Sequence, residues 1–171
     1  MKLIILVLLL ILIALIIAIF YFTAYGKLSE IKTKMDNANE NITNLLKEKY
    51  ELMKKLYEII KKNVKKKDYL KDFSKLAKHN LTNYELDNEL NTYLKTMTEL
   101  KDDYKVLNNK ENNELFKKIK MIDQDITANK KFFNKNNNQL IKSLTGYNKI
   151  VGKMLNINVK TSYEIKKPNA D

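Results

Sequence analysis

Apolar residues are distributed very unevenly along this chain of 171 residues. Leu3 to Phe22 form a run of twenty apolar or aromatic side chains without a charge, Gly or Pro. As an α-helix the run is about 30 Å long, which matches the hydrocarbon core of a bilayer, and a helix satisfies its backbone hydrogen bonds internally. The pattern predicts a transmembrane helix within residues 1–24.

The end of this run helps to distinguish an anchor from a cleaved secretory signal. A signal peptide has a shorter apolar region and small residues before its cleavage site. Here the run ends in aromatic residues, as is typical of the membrane–water interface; they are Phe20, Tyr21, Phe22 and Tyr25. A lipoprotein leader is excluded because the chain has no Cys. We expect an uncleaved signal-anchor in the lipid bilayer, with a cleaved signal as the alternative.

From Ile31 onward apolar residues recur at spacings of four and three, which is typical of a helix in a bundle. The positions are Ile31, Met35, Ala38, Ile42, Leu45, Leu52, Leu56 and Ile59, with Leu46, Met53 and Ile60 widening the stripe. Lys49 interrupts the stripe once. Because no Pro separates the apolar run from this stripe, we expect one nearly continuous helix to about Asn63.

A second, shorter helix is predicted after Asn63. Asp68 can cap its first turn. Its apolar residues would be Tyr69, Leu70, Phe73, Leu76 and Ala77. We expect this helix to fray near His79 and Asn80.

Two more long helices are predicted. Thr82 and Glu85 form a capping-box pattern, followed by the heptad positions Leu86, Leu90, Tyr93, Leu94, Met97, Leu100, Tyr104 and Leu107. A turn is marked by Asn108, Asn109, Asn112 and Asn113. The last helix has an apolar face of Leu115, Ile119, Ile122, Ile126, Phe133, Leu140, Leu144 and Tyr147, which also contains Asn129, Asn136 and Ser143.

The C-terminal part is expected to be less regular. Thr145 and Gly146 are a weak point in the last helix. A short apolar cluster comes after them, formed by Ile150, Val151, Met154, Leu155 and Ile157. Residues 159–171 are expected to be a flexible tail.

These elements predict an all-α fold. The N-terminal transmembrane helix continues into an antiparallel helical bundle with three long helices and one shorter helix, since amphipathic helices cannot bury their stripes singly. Residues 25–158 suffice for one helical-bundle domain. No segment has the period-two alternation of a strand.

The charge changes this picture little. All 32 basic residues are Lys, and the net charge is +12. Nucleic acid is an unlikely partner, since proteins that bind it as a single strand combine aromatic residues with Arg. The codon bias of an AT-rich genome, acting on a solvated helical surface, is the favoured interpretation of the excess of Lys. The densest cluster, Lys61, Lys62 and Lys65–Lys67, is interpreted as a solvated helix end. Three lysines come closely after the span (Lys27, Lys32 and Lys34) and one precedes it (Lys2), so the positive-inside rule places the C-terminal domain in the cytoplasm.

Motifs for chemistry are scarce. The chain lacks a phosphate loop, a zinc-protease motif and a nucleophile elbow. His79 is the single histidine, so a bundle di-metal site cannot form. One small cluster and one pair of acidic residues are interpreted as surface groups; they are Glu111, Glu114, Asp123 and Asp125, and Asp102 and Asp103. We expect no catalytic, cofactor-binding or metal site, and no enzyme.

Several short motifs follow one another along the predicted helices. Tyr25 leads to a stretch with Lys49, Glu51, Leu52 and Leu56, Tyr104 and Leu107 come after the middle helix, and the last helix has Asp123, Ile126, Phe133 and Asn134, with Tyr147 after it. In this order the chain resembles the LemA family of bacterial single-pass membrane-anchored proteins, although Lys54, Lys105 and Asn148 stand where that family usually has Pro. The resemblance implies an antiparallel bundle on a membrane stalk, and no established biochemical activity.

The sequence therefore favours a non-enzymatic interaction protein at the cytoplasmic membrane, with unknown protein partners and possible self-association. One alternative is a Lys-rich binder of anionic lipid or nucleic acid. Another is a phage-type or secretion-related protein whose domain lies outside the cell.

Overall fold

The computed structural model describes residues 2–64, 70–78 and 81–163. The described chain is all-α, as predicted, and contains no strand. Its α-helices are α1 (Lys2–Asn63), α2 (Asn83–Asp103), α3 (Lys110–Ser143) and α4 (Tyr147–Met154). Two 3₁₀ helices, Phe73–Lys78 and Lys105–Leu107, lie between them.

Helix α1 is the single continuous helix that the sequence predicts, ending at Asn63. Lys61 and Lys62 lie in its last turn, where positive charge is favourable next to the free carbonyl groups. Lys65–Lys67 lie outside the described residues.

The short second helix is the main difference from the sequence prediction. Residues 73–78 form a 3₁₀ helix instead of an α-helix, and Asp68, Tyr69, His79 and Asn80 lie outside the described residues. Leu70, Phe73 and Leu76 are spaced by three and all are buried. A 3₁₀ helix has three residues per turn, so Phe73 and Leu76 lie on one face of it. Leu70 precedes the helix. The short α-helix of the fold is α4.

The helix starts and turns agree better with the sequence. Thr82 caps α2 in a capping box with Glu85. The turn between α2 and α3 includes Asn108 and Asn109, and the Asn109 side chain accepts a hydrogen bond from the Asn112 amide. Helix α3 ends at Ser143, next to the predicted weak point, where Gly146 has φ +53°.

The chain divides into two compact units. Unit 1 contains residues 1–37 and 132–162, and unit 2 contains residues 38–131 and 163–171. Helices α1 and α3 contribute to both.

In unit 2, α1 and α2 run in the same direction, and α3 runs antiparallel to α1. Pairs between α1 and α3 proceed in opposite directions, since Asn41 contacts Asn129 and Lys49 contacts Asp123. Pairs between α1 and α2 proceed in the same direction, because Thr43 contacts Asn83 and Lys49 contacts Asn91. The segment with the 3₁₀ helix is therefore the part of the chain that returns from the end of α1 to the start of α2.

The core of unit 2 is centred differently from the predicted stripe. The fully buried row of α1 is Ile42, Leu46, Lys49, Met53, Leu56 and Ile60. Leu45, Leu52 and Ile59 are half-buried and lie at its side. Lys49 thus occupies the middle of the buried face and does not interrupt it.

In unit 1, α1 and the C-terminal part of α3 are joined by α4 and the segment after it. The buried apolar side chains are Ala24, Leu28, Ile31, Met35, Phe133, Leu140, Val151 and Ile157. Tyr147, predicted on the apolar face of the last helix, instead begins α4 and is exposed. Its position is explained by the break at Gly146, which ends the periodicity of α3.

A Schellman motif ends α4. Asn156 has φ +51°, its amide donates to the Lys153 carbonyl, and the Ile157 amide donates to the Gly152 carbonyl. Asn tolerates this left-handed conformation better than most residues. The next segment is held against α3, because the Asn137 side chain donates to the Lys160 carbonyl at 2.7 Å. Residues 164–171 of the predicted tail lie outside the described residues.

Candidate functional site

The predicted membrane span forms the first turns of α1 and is exposed along its whole length. The large aliphatic side chains from Leu3 to Ile19 all face outward. Among the described residues, α1 is the helix long and apolar enough to cross a membrane, with a mean hydropathy of 3.8 in its most apolar window and none of that window buried. A core helix of a soluble protein would be mostly covered, so this segment is compatible with a membrane span, as it would be with a signal sequence.

The predicted interfacial aromatic residues lie at the end of this segment. Phe20, Phe22 and Tyr25 are exposed, and Tyr21 is half-buried. The Tyr21 ring contacts Phe22 edge-on at 5.7 Å and lies 6.2 Å from the ring of Tyr25. The group therefore covers one end of the apolar segment with aromatic rings.

A charged network crosses the interior of unit 2. Lys49 is fully buried, and its Nζ lies 2.5 Å from Asp123 Oδ1, 2.6 Å from Asn91 Oδ1 and 3.6 Å from Asp87 Oδ1. Lys130 reaches Asp87 Oδ2 from the other side at 2.5 Å. Two lysines and two aspartates thus balance in formal charge across three helices.

One atom of this network has no hydrogen-bond partner among the described residues. Asp87 Oδ1 is buried without a donor within hydrogen-bond distance, and its nearest cation is Lys49 at 3.6 Å. A buried carboxylate oxygen in this state depends on the neighbouring charges for its stability. Attraction to the ammonium group of Lys49 therefore contributes to holding Asp87 in place.

Lys130 also connects the network to the last described residue. Its Nζ lies 5.7 Å from the centre of the Tyr163 ring. The Tyr163 hydroxyl donates to Asn39 Oδ1 on α1 at 2.5 Å. Tyr163 therefore belongs to the polar interior of unit 2.

Beside the network, an aromatic cluster holds the 3₁₀ helix. The fully buried Phe73 ring lies 5.5 Å from Tyr50, 5.4 Å from Tyr57 and 5.3 Å from Tyr93. Burial and the neighbouring Glu89 and Asp72 raise the pKa of the Tyr93 hydroxyl above its usual value.

In unit 1, the segment after α4 is tied to α1 by an ion pair. Lys160 Nζ lies 2.8 Å from Asp36 Oδ1, and Lys32 Nζ lies 2.9 Å from Asp36 Oδ2. Partial burial would raise the pKa of the Asp36 carboxyl, but the hydrogen bonds and charges of Lys160 and Lys32 together outweigh it and lower the pKa. Asp36 is therefore stabilised in its charged form.

The residues quoted for the family motifs are placed in three environments. Leu56, Leu107, Ile126 and Phe133 are in the cores, and Leu52, Tyr104 and Asn134 are half-buried. Glu51 and Tyr147 are exposed. Lys49 and Asp123 meet in the charged network, so the structure brings together two motif positions that are 74 residues apart.

The carboxylates interpreted as surface groups lie largely at the surface. Asp102, Asp103, Glu111, Glu114 and Asp125 are exposed. Glu111 and Glu114 line an open cleft of about 620 Å³ together with Glu51, Lys54, Lys55, Glu58 and Lys118. Asp123 is the exception because it is half-buried and paired with Lys49. The described residues contain no group of three or more His, Cys, Asp or Glu that could hold a metal ion.

Sequence reasoning missed Lys130, Asp87 and Asn91 as interior residues. The available signal was Lys49, a charge at an apolar position of a heptad stripe, which requires an acidic partner if the stripe is buried. The partner could not be chosen from the sequence, because many acidic residues occur on α2 and α3.

Comparison of the chain with protein-family models, with curated proteins and with solved structures found no match in any of the three.

Proposed function

We propose that this chain is a non-enzymatic, single-pass membrane protein whose helical bundle binds other proteins at the cytoplasmic membrane. The observation that carries the proposal is the exposed apolar segment Leu3–Phe22, which is continuous with the bundle through α1. A free cytosolic protein could not keep that surface in water without aggregation.

An anchor is favoured over a cleaved signal by the residues directly after the apolar segment. Ala24 and Leu28, within two turns of Phe22, are buried in unit 1. Cleavage near residue 24 would remove the helical turns directly before Leu28 and leave a new charged terminus beside the core. The continuity of α1 from the apolar segment into the folded unit supports an uncleaved anchor.

The cytoplasmic orientation of the bundle is proposed from the lysines after the span. Lys27, Lys32 and Lys34 come after the membrane exit, and Lys27 is exposed in the structure. Basic residues close to a span are retained on the cytoplasmic side. The alternative, an extracytoplasmic bundle of the phage or secretion type, reverses this orientation.

The resemblance to the LemA family stays a prediction, and it agrees with this proposal. The family-motif positions Lys49 and Asp123 form one ion pair in the interior, which is a structural role. Protein binding would then use the outer surface of the bundle. The proposal includes self-association of the bundle and leaves the protein partners unnamed.

Anchoring is tested by membrane extraction of the full chain at alkaline pH. The intact protein should remain in the membrane pellet with an unprocessed mass. As a matched control, Leu10→Lys with Ile13→Lys places two charges at the centre of the span, which costs about 5–7 kcal/mol of insertion free energy and should release the protein. A soluble product that lacks its first two dozen residues would refute the proposal.

Orientation is tested by cysteine labelling, for which a chain without Cys is well suited. Thr98 is exposed on α2, so Thr98→Cys should react with a membrane-impermeant maleimide only after the cells are lysed. Labelling in intact cells would place the bundle outside and support the extracytoplasmic alternative.

The second alternative, a Lys-rich binder of anionic lipid or nucleic acid, makes a different prediction. Several lysines already pair with acids one turn away, as in Lys34 with Glu30 and Lys75 with Asp72, which lowers the charge available for phosphates. Binding of anionic liposomes and of DNA across a salt series decides this point, because phosphate neutralisation gives a steep loss of affinity with salt.

A further inference from the structure

Helix α4 has an apolar face that no part of the described chain covers. Tyr147, Ile150 and Met154 are 42%, 58% and 69% exposed. Their spacing of three and four residues places them on one side of the helix. The adjacent side is buried, with Val151 and Gly152 packed into unit 1.

The contacts of the buried side locate α4 along α1. A Cβ built on Gly152 would lie 3.8 Å from Leu28 Cδ1 and 2.5 Å from Leu144 Cδ2. Leu28 is six residues beyond Phe22, which is about 9 Å along a helix axis. Leu28 also points toward the helix N-terminus, and therefore toward the apolar segment.

This height coincides with one layer of a bilayer. The headgroup region extends about 5–8 Å beyond the hydrocarbon core on each side. If Leu3–Phe22 spans the core, the Leu28 backbone lies about 9 Å beyond it, at the outer edge of this region. The Leu28 side chain leans back toward the span, so its contact with Gly152 of α4 is at the level of the outer headgroups. An apolar face at that level lies beside the lipid headgroups.

The charges of α4 suit the same position. Lys149 and Lys153 are exposed, lie one turn apart, and lie together on one side of the apolar face. Lys27 lies beside Leu28 on α1. Helices that lie in the membrane interface combine such an apolar face with lysines that reach lipid phosphates.

We infer that α4 is an interfacial helix, which inserts Tyr147, Ile150 and Met154 between lipid headgroups beside the membrane exit of α1. A second protein is a poorer occupant of this face, because three side chains supply far less than the roughly 800 Å² per partner of a stable interface. The inference rests on the proposed membrane anchor. It adds that the folded part of unit 1 touches the bilayer itself.

The test uses the full chain in vesicles of phosphatidylcholine and phosphatidylglycerol, with single cysteines that carry an environment-sensitive fluorophore. Ile150→Cys reports on α4. Val159→Cys is the matched control, since Val159 belongs to the same unit and is 49% exposed. It precedes Lys160, which pairs with Asp36, a residue about 21 Å beyond Phe22 along α1. Phe20→Cys reports on the anchor.

Lipids with a nitroxide at the headgroup or high on the acyl chain should quench the label at position 150 and shift its emission to the blue. The label at position 159 should show neither effect. The label at position 20 should be quenched most strongly by nitroxides within the hydrocarbon region.

The outcomes separate the two proposals. Loss of quenching at position 20 would overturn the membrane anchor. Quenching at position 20 with identical, unquenched labels at 150 and 159 would overturn the interfacial helix alone. Excimer emission from pyrene at position 150 without lipid quenching would also overturn it, because a second copy of the chain would then cover the face.

Discussion

Replacement of Lys49 by Met tests whether the buried charged network stabilises unit 2. Met is close to Lys in length and fills the same space on α1, so the substitution removes the amine with little change in packing. Lys49 is fully buried and contacts Asp123 at 2.5 Å and Asn91 at 2.6 Å. The substitution therefore leaves both acceptors without their donor.

The expected loss depends on the contacts that each partner keeps. Removal of one member of a buried ion pair costs about 3–5 kcal/mol, because the other charge stays desolvated. Asp87 retains Lys130 at 2.5 Å, and the Asp123 side chain is 31% exposed, so water can reach it. We expect a loss near the lower limit, about 3 kcal/mol, which is a large part of the roughly 5–15 kcal/mol that stabilises a typical domain.

A double substitution separates the interaction from general damage. Lys49→Met with Asp123→Leu removes the stranded carboxylate and replaces the pair with apolar groups, an exchange that is often neutral or stabilising. The double variant should regain about 1–2 kcal/mol relative to Lys49→Met alone. Lys95→Met is the matched control, because Lys95 is 82% exposed and reaches Glu99 only at 4.0 Å; its effect should stay within about 0.5 kcal/mol.

The measurement is urea unfolding of the full chain in a non-ionic detergent, monitored by circular dichroism at the helical band and by tyrosine fluorescence. The free energy of unfolding is obtained by linear extrapolation. The reasoning is refuted if Lys49→Met is no more destabilising than Lys95→Met. It is also refuted if the double variant loses as much as the two single variants together.

Three further predictions use the same assay. Phe73→Ala should cost about 3–5 kcal/mol because it empties a fully buried aromatic site, whereas Phe132→Ala, at an exposed position of α3, should cost much less; equal losses would contradict the packing described. Thr82→Ala should cost about 1 kcal/mol through loss of the capping box, while Thr98→Ala, in the exposed middle of α2, should be near neutral, and an unaffected Thr82 variant would show that the cap is dispensable. The lowered pKa of Asp36 means that its contribution is present above the pKa of an unfolded aspartate and is lost as pH falls through the folded pKa; the wild type should therefore unfold at higher urea than Asp36→Asn at pH 7, and a gap that does not narrow in acid would contradict the ion pair.

The elements that sequence reasoning predicted well depend on local information. The length of α1 is explained by an apolar run, a heptad stripe and the absence of Pro. The start of α2 is explained by Thr82 and Glu85, because the side chain of each accepts a hydrogen bond from the backbone amide of the other. Gly146 marks the end of α3 because a positive φ is easily adopted there.

The elements that were wrong or missed depend on distant contacts. Residues 70–78 have too little helical periodicity of their own to decide between an α-helix and a 3₁₀ helix. The contacts of Phe73 with Tyr50, Tyr57 and Tyr93 come from α1 and α2, so they could not be read from the local sequence. The sequence showed the apolar residues of α4 only as a short cluster. Which of them are buried and which are exposed depends on how α1 and α3 pack against this helix.

The charged network explains how two helices with repetitive apolar faces choose one register. Seven-residue steps along α3 exchange one apolar residue for another, as in Ile119, Ile126 and Phe133, so a slip of one heptad would preserve most apolar contacts. The same step would move Lys49 from Asp123 to Phe116 in one direction and to Lys130 in the other. The first takes Asp123 away from a fully buried cation and leaves it only Asp87 and Asn91 on α2, and the second places two cations together. Breaking a buried pair in this way costs about 3–5 kcal/mol. The charge that breaks the apolar pattern of α1 is therefore the residue that distinguishes the observed register from its neighbours.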